Sequence, residues 1–342
     1  MKLPVTIMIP TYNQAAYLEI AIQSALNQDY PNLEVIVVDD CSFDNTSEIA
    51  LKFVSDGRLK YYRNEINLGK TANYRRSLYE LASGDWVLNL DGDDYLTDEN
   101  YISFAMQQIS RYENVVLFTA GVMSVRQQGF RSPETHHIVN EQLFIEGEKL
   151  FFNWHRYKIP HLTSLYHRQT ACRIGFYSVD ISSADWESLL RLVLHGNVIL
   201  SERIAGVWRK HSNNLSRAMD FNQFAANFAF IAKPLEYALN RGHDKVLLAA
   251  WEKIMIDTIM KGQFNEVWHN VMRKHSLAEI IKFMRVVRYE KPEFLSNYFQ
   301  VKNIARLFLC FAVMALTNIR QLIEKAARFI IRSKRSARNF FF

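Results

Sequence analysis

The chain has 342 residues, of which 49% are hydrophobic and 22% charged, as expected for a folded protein with one large domain or two smaller ones. Its cysteines, Cys41, Cys172 and Cys310, are far apart, which argues against a disulfide framework and a zinc knuckle and favours a reducing compartment. Residues 320–342 alone carry a net charge of +6, equal to that of the whole chain. The remainder is therefore close to neutral, and no nucleic-acid partner is expected.

The first part of the chain alternates apolar runs typical of strands with segments whose apolar residues recur at helical spacing. The predicted strands are Val5–Ile9 (preferred to a signal peptide), Leu33–Val38, Leu59–Arg63, Trp86–Leu90 and Val115–Thr119. The predicted helices between them are Ala15–Leu26, Thr46–Val54 and Ala72–Ala82. This order predicts a mainly parallel, doubly wound α/β sheet, in which ligands bind at the carboxyl ends of the strands.

The later part of the chain is more helical. From about Phe130 to Pro160 the pattern weakens, and we expect a loop-rich segment that forms one wall of a cleft. Ala184–His195 is predicted to be a helix, as is nearly everything from Asn222 to about Arg288. We therefore predict a main domain, a helical extension and a tail, at residues 1–215, 216–300 and 301–342.

The strongest sign of chemistry is Asp91-Gly92-Asp93-Asp94, directly after a predicted strand. Three carboxylates in four residues repel one another, so a site that keeps them ionised needs a compensating cation. Mn²⁺ and Mg²⁺ take oxygen ligands and bridge to diphosphate oxygens, and Gly92 is expected to leave room for a diphosphate. The alternative is a solvated acidic turn in front of a helix that starts near Asp98.

A second acidic pair, Asp39 and Asp40, follows the apolar run Val35–Val38. A carboxylate at the carboxyl end of a strand can accept a hydrogen bond from a pyrimidine imide or a ribose hydroxyl. For the nearby Asp44 and Asn45, capping of the next helix is the favoured role.

Five short blocks, in this order, resemble those of the family 2 inverting glycosyltransferases. They are Ile9-Pro10-Thr11-Tyr12-Asn13, Val38-Asp39-Asp40-Cys41-Ser42, Asn67-Leu68-Gly69, Gly84-Asp85-Trp86 and Leu90-Asp91-Gly92-Asp93-Asp94. Each block alone is a weak signal, but five in order are specific, and the resemblance covers residues 1–215. It implies a GT-A fold, which is Rossmann-like with a mainly parallel doubly wound sheet, here followed by a helical C-terminal extension. It also implies a nucleotide diphosphate sugar donor and a divalent metal, Mn²⁺ or Mg²⁺.

The resemblance also implies roles for individual residues. Pro10, Thr11 and Tyr12 would line the nucleoside pocket, while Asp40 would contact the base with support from Asp39. Relatives often carry an Arg-Asn pair after the glycine of the third block, where this chain has one residue inserted. Lys70 and Arg75 are the favoured cations facing the donor. The implied donor-binding set is Pro10, Thr11, Tyr12, Asn13, Asp39, Asp40, Asn67, Gly69, Lys70, Arg75, Asp91 and Gly92.

Metal and catalytic roles are implied in the same way. Relatives open the helix at residue 184 with Glu-Asp, where the aspartate is the catalytic base. Here Ala184 replaces the glutamate, but Asp185 is retained. A base is needed to deprotonate the acceptor hydroxyl, although an aspartate at this position could also only cap the helix. His211 corresponds in position to a histidine that reaches the metal. The implied metal set is Asp91, Asp93, Asp94 and His211.

The C-terminal segment has the pattern of an interfacial helix. Ile304–Ile319 contains one charge and is shorter than the roughly 20 apolar residues that span a bilayer. The residues that follow combine an apolar face with basic side chains, which predicts attachment to an anionic membrane surface. A core or dimer helix with a disordered basic end is the alternative, so an oligomer is left open.

We therefore predict a metal-dependent inverting glycosyltransferase that serves polysaccharide or glycolipid biosynthesis. Its acceptor would be a sugar or a lipid-linked saccharide, and its location the cytoplasm, at the inner face of the cell membrane. Two alternatives are a nucleotidyltransferase and a non-catalytic sugar-binding or scaffold protein. The first lacks a glycine-rich phosphate loop after the first strand, and the second is favoured only by Ala184.

Overall fold

The computed structural model describes residues 2–126, 129, 131–211, 219, 221–265, 267 and 285. The chain divides into two compact units, Met1–Met260 and Lys261–Phe342. The central sheet and the helices around it belong to the first unit.

The described strands form one mixed sheet. They are β1 Val5–Thr11, β2 Leu33–Asp39, β3 Leu59–Arg63, β4 Trp86–Asn89, β5 Tyr95–Leu96, β6 Val115–Arg126, β7 Arg131–Glu134, β8 Gln142–Glu146, β9 Ser164–His167 and β10 Asn197–Lys210. Their order is β3-β2-β1-β4-β9-β6-β10-β5, with β7 beside β6 and β8 beside β10. The run β3-β2-β1-β4 and the pair β6–β10 are parallel, and the other pairs are antiparallel.

Helices connect the strands and cover the sheet. They are α1 Ala15–Leu26, α2 Thr46–Leu51, α3 Lys70–Arg76, α4 Tyr101–Ile109, α5 Gly147–Phe152, α6 Arg168–Arg173, α7 Ala184–Val193, α8 Phe221–Ala226, α9 Ala229–Asn240 and α10 Lys245–Met255. A wider π-helical turn, Ser77–Leu81, continues α3, and another, Ile256–Met260, follows α10. A short 3₁₀ turn, Trp154–Arg156, follows α5.

The strand register brings three loops to one edge of the sheet. Every residue of β1 is buried, as is typical of a parallel strand covered on both faces. Thr11, the last residue of β1, lies opposite Asp39, the last residue of β2, and Met8 lies opposite Asn89 at the end of β4. The segments that begin at Tyr12, Asp40 and Leu90 therefore leave the sheet at neighbouring positions on its carboxyl edge.

The predicted strands of the first part of the chain are confirmed, as is the mainly parallel α/β class. The loop-rich prediction for Phe130–Pro160 is wrong, because this segment contains β7, β8 and α5. Among the described strands, Arg131–Glu134 pairs only with β6, and its polar composition gives no apolar pattern to detect.

Helix is confirmed for residues 222–255 with short interruptions, whereas the tail from residue 301 lies outside the described residues. Among the described residues, no helix is both long and apolar enough to cross a membrane. The domain limits at residues 215 and 300 remain predictions.

Candidate functional site

A cavity of about 530 Å³ lies at the carboxyl edge of the sheet, a volume in the usual range for small-ligand sites. It is lined by most of the residues with predicted binding roles and by several others. The lining residues are Pro10, Thr11, Tyr12, Asn13, Gln14, Tyr17, Asp40, Asn67, Gly69, Lys70, Asn73, Tyr74, Asp91, Asp93, Asp94, Trp208 and His211. The predicted residues Asp39, Arg75, Gly92 and Asp185 are not among them.

Asn13 fastens the loop after β1 to the loop after β2. Its φ of 52° is in the left-handed region, which asparagine tolerates better than most residues. Its backbone N–H donates to Ser42 Oγ at 2.9 Å, and its Oδ1 accepts from the backbone N–H of Phe43 at 2.8 Å. Hydrogen bonds therefore join these two loops at the cavity, although the loops are far apart in the sequence.

Asp40 fixes the third loop, Asn67–Gly69. Its buried carboxylate accepts from Asn64 Nδ2 at 2.6 Å and from the backbone N–H groups of Leu68 and Gly69 at 2.8 and 2.9 Å. Much of its capacity as an acceptor is therefore used within the chain. Asp40 lines the cavity, and a ligand there would meet a carboxylate that is already rigidly held.

Asp39 lies behind the cavity and supports the same loops. It is fully buried, and its carboxylate accepts from the Ser42 N–H at 2.9 Å and from the Tyr61 hydroxyl at 2.8 Å. The Arg63 guanidinium lies 3.4 Å from it. Asp39 is thus placed to support the loop that begins at Asp40. Asp44, rather than Asn45, accepts the N–H of Thr46 at the start of α2.

The carboxylates of Asp91, Asp93 and Asp94 converge beside the cavity. One oxygen from each lies within 4.8 Å of the others, and Asp93 and Asp94 are buried. Burial, reinforced by the neighbouring carboxylates, raises the pKa of Asp93 and raises that of Asp94 well above its usual range. Three converging carboxylates form a set of oxygen donors that fits a hard divalent cation.

Other groups hold this cluster in position. His211 Nε2 lies 3.0 Å from Oδ2 of Asp93, and the backbone N–H of Arg209 donates to Oδ1 of Asp94 at 2.9 Å. The Tyr17 ring stacks on the His211 ring, with centroids 4.8 Å apart. The structure thus brings His211 to the carboxylate cluster, as its predicted role requires.

Gly92 packs closely against the residues that follow β1. A Cβ at this position would lie 2.7 Å from both Thr11 Oγ1 and Gln14 Oε1, which is too close for any other residue. The packing of the acidic loop against β1 and the start of α1 therefore accounts for a glycine at this position. Its role in leaving room for a diphosphate stays a prediction.

Lys70 and Arg75, the two cations predicted to face the donor, lie in different places. Lys70 lines the cavity, and its Nζ lies 5.3 Å from the centroid of the Tyr74 ring. Arg75 is exposed and lies over the Tyr79 ring at 5.5 Å, outside the cavity. Successive helix residues differ by about 100° around the axis, so Arg75 cannot share the direction of the buried Tyr74. The structure does not support Arg75 as a donor-binding residue.

Asp185 lies in the first turn of α7 and is half-buried. Among the described residues, no group donates a hydrogen bond to its carboxylate, and α7 has no side-chain cap. Burial lowers the pKa of His161, and the charges of Asp185 and Asp91 oppose that shift. Burial, then Asp91 and then Asp185, raise the pKa of Tyr74. Asp185 and Asp91 are therefore both within electrostatic range of Tyr74 and His161.

Glu187, two residues further along, is structural. It is fully buried and pairs with Arg191 at 2.6 Å, and Arg191 also donates to the backbone oxygens of Ile174 and Gly175. This buried pair anchors α7, and with it Asp185, to the segment before the helix.

The sequence prediction missed several cavity residues, including Tyr17, Tyr74 and Trp208. Tyr17 lies in the first turn of α1, four residues after Asn13. Residues four apart lie on the same side of a helix, so this spacing could have indicated that Tyr17 is near the cavity. Tyr74 belongs to the block of residues 67–76, in which the resemblance implies roles only for Asn67, Gly69, Lys70 and Arg75.

Residues 6–178, just over half of the chain, match Glycosyl transferase family 2. The chain therefore belongs to glycosyl transferase family 2. Its fold is of the GT-A type. It resembles the crystal structure of Staphylococcus aureus TarS 1–349 in complex with UDP-GlcNAc, with a TM-score of 0.63 and 18% identity over 83% of this chain and 80% of that one. It also resembles a mannosyltransferase from Pyrobaculum calidifontis in complex with GDP-Man and Mn²⁺, with a TM-score of 0.55 and 17% identity over 91% and 88% of the two chains.

Similar sequences include bacterial glycosyltransferases. Poly(ribitol-phosphate) beta-N-acetylglucosaminyltransferase TarS of Staphylococcus aureus is 38% identical over 96 residues, 28% of this chain and 17% of that protein. A Campylobacter jejuni GalNAc(5)-diNAcBac-PP-undecaprenol beta-1,3-glucosyltransferase is 40% identical over 93 residues, 27% and 30% of the two chains. The matches thus cover less than a third of the length of either relative.

Proposed function

We propose that this chain is a metal-dependent inverting glycosyltransferase, which moves a sugar from a nucleotide diphosphate sugar to an acceptor hydroxyl in polysaccharide or glycolipid biosynthesis. The observation that carries the proposal is the convergence of Asp91, Asp93 and Asp94 beside a cavity also lined by Pro10–Asn13 and Asp40. Family membership supports the reaction class. The donors bound by two structural neighbours, UDP-GlcNAc and GDP-Man, support a nucleoside diphosphate sugar.

In this proposal the three carboxylates and His211 hold Mn²⁺ or Mg²⁺, which when bound offsets the charge of the nucleoside diphosphate leaving group. Pro10–Asn13 and Asp40 form the nucleoside pocket, with Asp39 behind it. Asn67, Gly69 and Lys70 line the same cavity and contact the donor. Lys70 adds a positive charge beside the diphosphate. Arg75 lies outside the cavity and is not given this role.

Asp185 is the proposed catalytic base. Because no described group donates a hydrogen bond to its carboxylate, the carboxylate is available to accept a proton from the acceptor hydroxyl. Its position in the first turn of α7 places the carboxylate at the positive end of the helix dipole. Direct attack of the deprotonated hydroxyl on the anomeric carbon, with departure of the nucleoside diphosphate, inverts the configuration at that carbon.

The acceptor is proposed to be a sugar or a lipid-linked saccharide, as the undecaprenol-linked acceptor in the name of one relative suggests. A lipid-linked acceptor agrees with the predicted attachment of the basic tail, residues 320–342, to the inner face of the cell membrane. This part of the proposal rests on sequence alone, because the tail lies outside the described residues.

The test is a screen of nucleotide sugars for hydrolysis and transfer, with Mn²⁺, Mg²⁺ or EDTA and with or without lipid-linked acceptors. At least one nucleotide sugar should be turned over with metal and not with EDTA. Asp93→Asn should abolish this turnover, because it removes one ligand of the cluster. Asp180→Asn, at an exposed aspartate outside the cavity, is the matched control and should be fully active. Equal activity of both variants would contradict the proposal.

A further inference from the structure

Two side chains donate hydrogen bonds to the same oxygen of Asp91. The Tyr74 hydroxyl and Asn89 Nδ2, the latter at 2.8 Å, both donate to Oδ1. In the part of the chain that the structure describes, the other oxygen, Oδ2, accepts no hydrogen bond. Rotation of this carboxylate about its Cβ–Cγ bond would break both bonds, so Oδ2 is the atom left for a ligand.

Tyr74 is held rigidly enough to fix this geometry. Its side chain is buried, and its ring packs against those of His161 and Tyr177, with centroids 5.7 and 5.2 Å apart. The neighbouring Asn73 fastens α3 to the sheet, because its Nδ2 donates to the backbone oxygen of Val38 at 2.9 Å. The tyrosine hydroxyl therefore has a fixed position relative to the carboxyl edge of the sheet.

Asn89 is oriented towards Asp91 at an energetic cost. This residue is fully buried at the end of β4, and its Oδ1 has no hydrogen-bond partner among the described residues. A buried oxygen without a partner is unfavourable. The opposite orientation of the amide would point its oxygen at the carboxylate, which is worse still. The arrangement is thus explained by the need to hold Asp91.

We propose that Tyr74 and Asn89 are positioning residues, which fix the rotation of Asp91 so that its Oδ2 faces the bound cation. The inference rests on the proposed function, since it requires that the carboxylate cluster binds a metal. Hydrogen bonds of this kind around a metal ligand typically change metal affinity by about 10–100-fold.

The experiment measures Mn²⁺ affinity directly, by electron paramagnetic resonance of the free ion during titration of the protein with Mn²⁺ alone. Tyr74→Phe removes one hydroxyl and keeps the packed ring. Tyr79→Phe is the matched control, because the Tyr79 hydroxyl donates to the backbone oxygens of Cys172 and Phe176 and not to the cluster. Asn89→Leu, close in shape to asparagine, removes the second donor and tests the same oxygen if Tyr74→Phe fails to fold.

We expect Mn²⁺ to bind about 10–100-fold more weakly to Tyr74→Phe and to Asn89→Leu, with Tyr79→Phe like the wild type. The inference would be overturned if folded Tyr74→Phe and Asn89→Leu both bound Mn²⁺ with wild-type affinity. It would also be overturned if Tyr79→Phe lost as much affinity as they did. Neither result would contradict the proposed function. Failure of the wild-type protein to bind Mn²⁺ in this titration would overturn the inference together with Mn²⁺ dependence in the proposed function.

Discussion

Replacement of Asp185 by asparagine separates a catalytic base from a helix cap or a donor ligand. The amide keeps the shape of the side chain but cannot accept a proton from the acceptor hydroxyl. A positioned base contributes a factor of about 10²–10⁴ in rate, equivalent to about 2.7–5.5 kcal/mol of activation free energy. We expect kcat to fall by that factor in Asp185→Asn.

The same substitution is expected to have little effect on folding. Because the carboxylate accepts no hydrogen bond from the described residues, the change leaves no buried donor without a partner. What is lost is the interaction of a negative charge with the N-terminus of α7, about 0.3–1 kcal/mol of the free energy of unfolding. The effect on stability is thus several-fold smaller, in free energy, than the effect on turnover.

The assay combines steady-state transfer kinetics, donor binding by isothermal titration calorimetry and thermal unfolding. Asp180→Asn is the control, since this exposed residue lies five positions upstream and makes the same change of charge. The donor Kd should stay within about 3-fold of the wild-type value, because the base contacts the acceptor and not the nucleotide. Unchanged kcat, or a donor Kd that weakens as much as kcat falls, would refute the assignment of Asp185 as the base.

Three further predictions concern stability, membrane attachment and stereochemistry. Glu187→Ala should lower the free energy of unfolding by about 3–5 kcal/mol, because it leaves Arg191 buried without its partner. Arg58→Ala, which breaks a half-exposed pair with Asp56, should cost at most about 1 kcal/mol. Chemical denaturation measures both losses, and equal losses would contradict the structural role of Glu187. Truncation before Ile304 should release the protein from vesicles of phosphatidylglycerol and phosphatidylcholine. Binding of the full chain to these vesicles should be weaker at high salt. A full chain that stays in the supernatant at low salt would show that the tail is not a membrane anchor. The anomeric configuration of the first product, read by NMR, should be inverted relative to the donor, and retention would exclude single displacement.

The sheet could be predicted from sequence because its central strands carry the required pattern themselves. β1 and β2 are mostly apolar and almost entirely buried, and the acidic residues at and after the end of β2 are local in sequence. β7 could not be predicted, because among the described strands it pairs only with β6, and its polar residues find their partners only in the folded sheet.

The acidic residues of the candidate site could be predicted from sequence, but the residues that hold them in position could not. Asp91, Asp93 and Asp94 can be recognised because they lie close together in the sequence. Tyr74 contacts Asp91 only because α3 packs against the carboxyl edge of the sheet. The resemblance favours Arg75 as a cation of the third block, but the direction of its side chain depends on the rotation of α3. The sequence shows which side chains have the chemistry to bind a metal or a nucleotide. Only the packing of the fold shows which of these side chains face the same cavity.

The most direct test of the central claim is a crystal structure of the protein grown with Mn²⁺ and UDP, with data collected for anomalous scattering from manganese. We predict one strong anomalous peak within coordination distance, about 2.0–2.3 Å, of carboxylate oxygens of Asp91, Asp93 or Asp94, with the diphosphate on its other side. A peak elsewhere in the molecule, or UDP bound in the cavity without manganese at these carboxylates, would contradict the account.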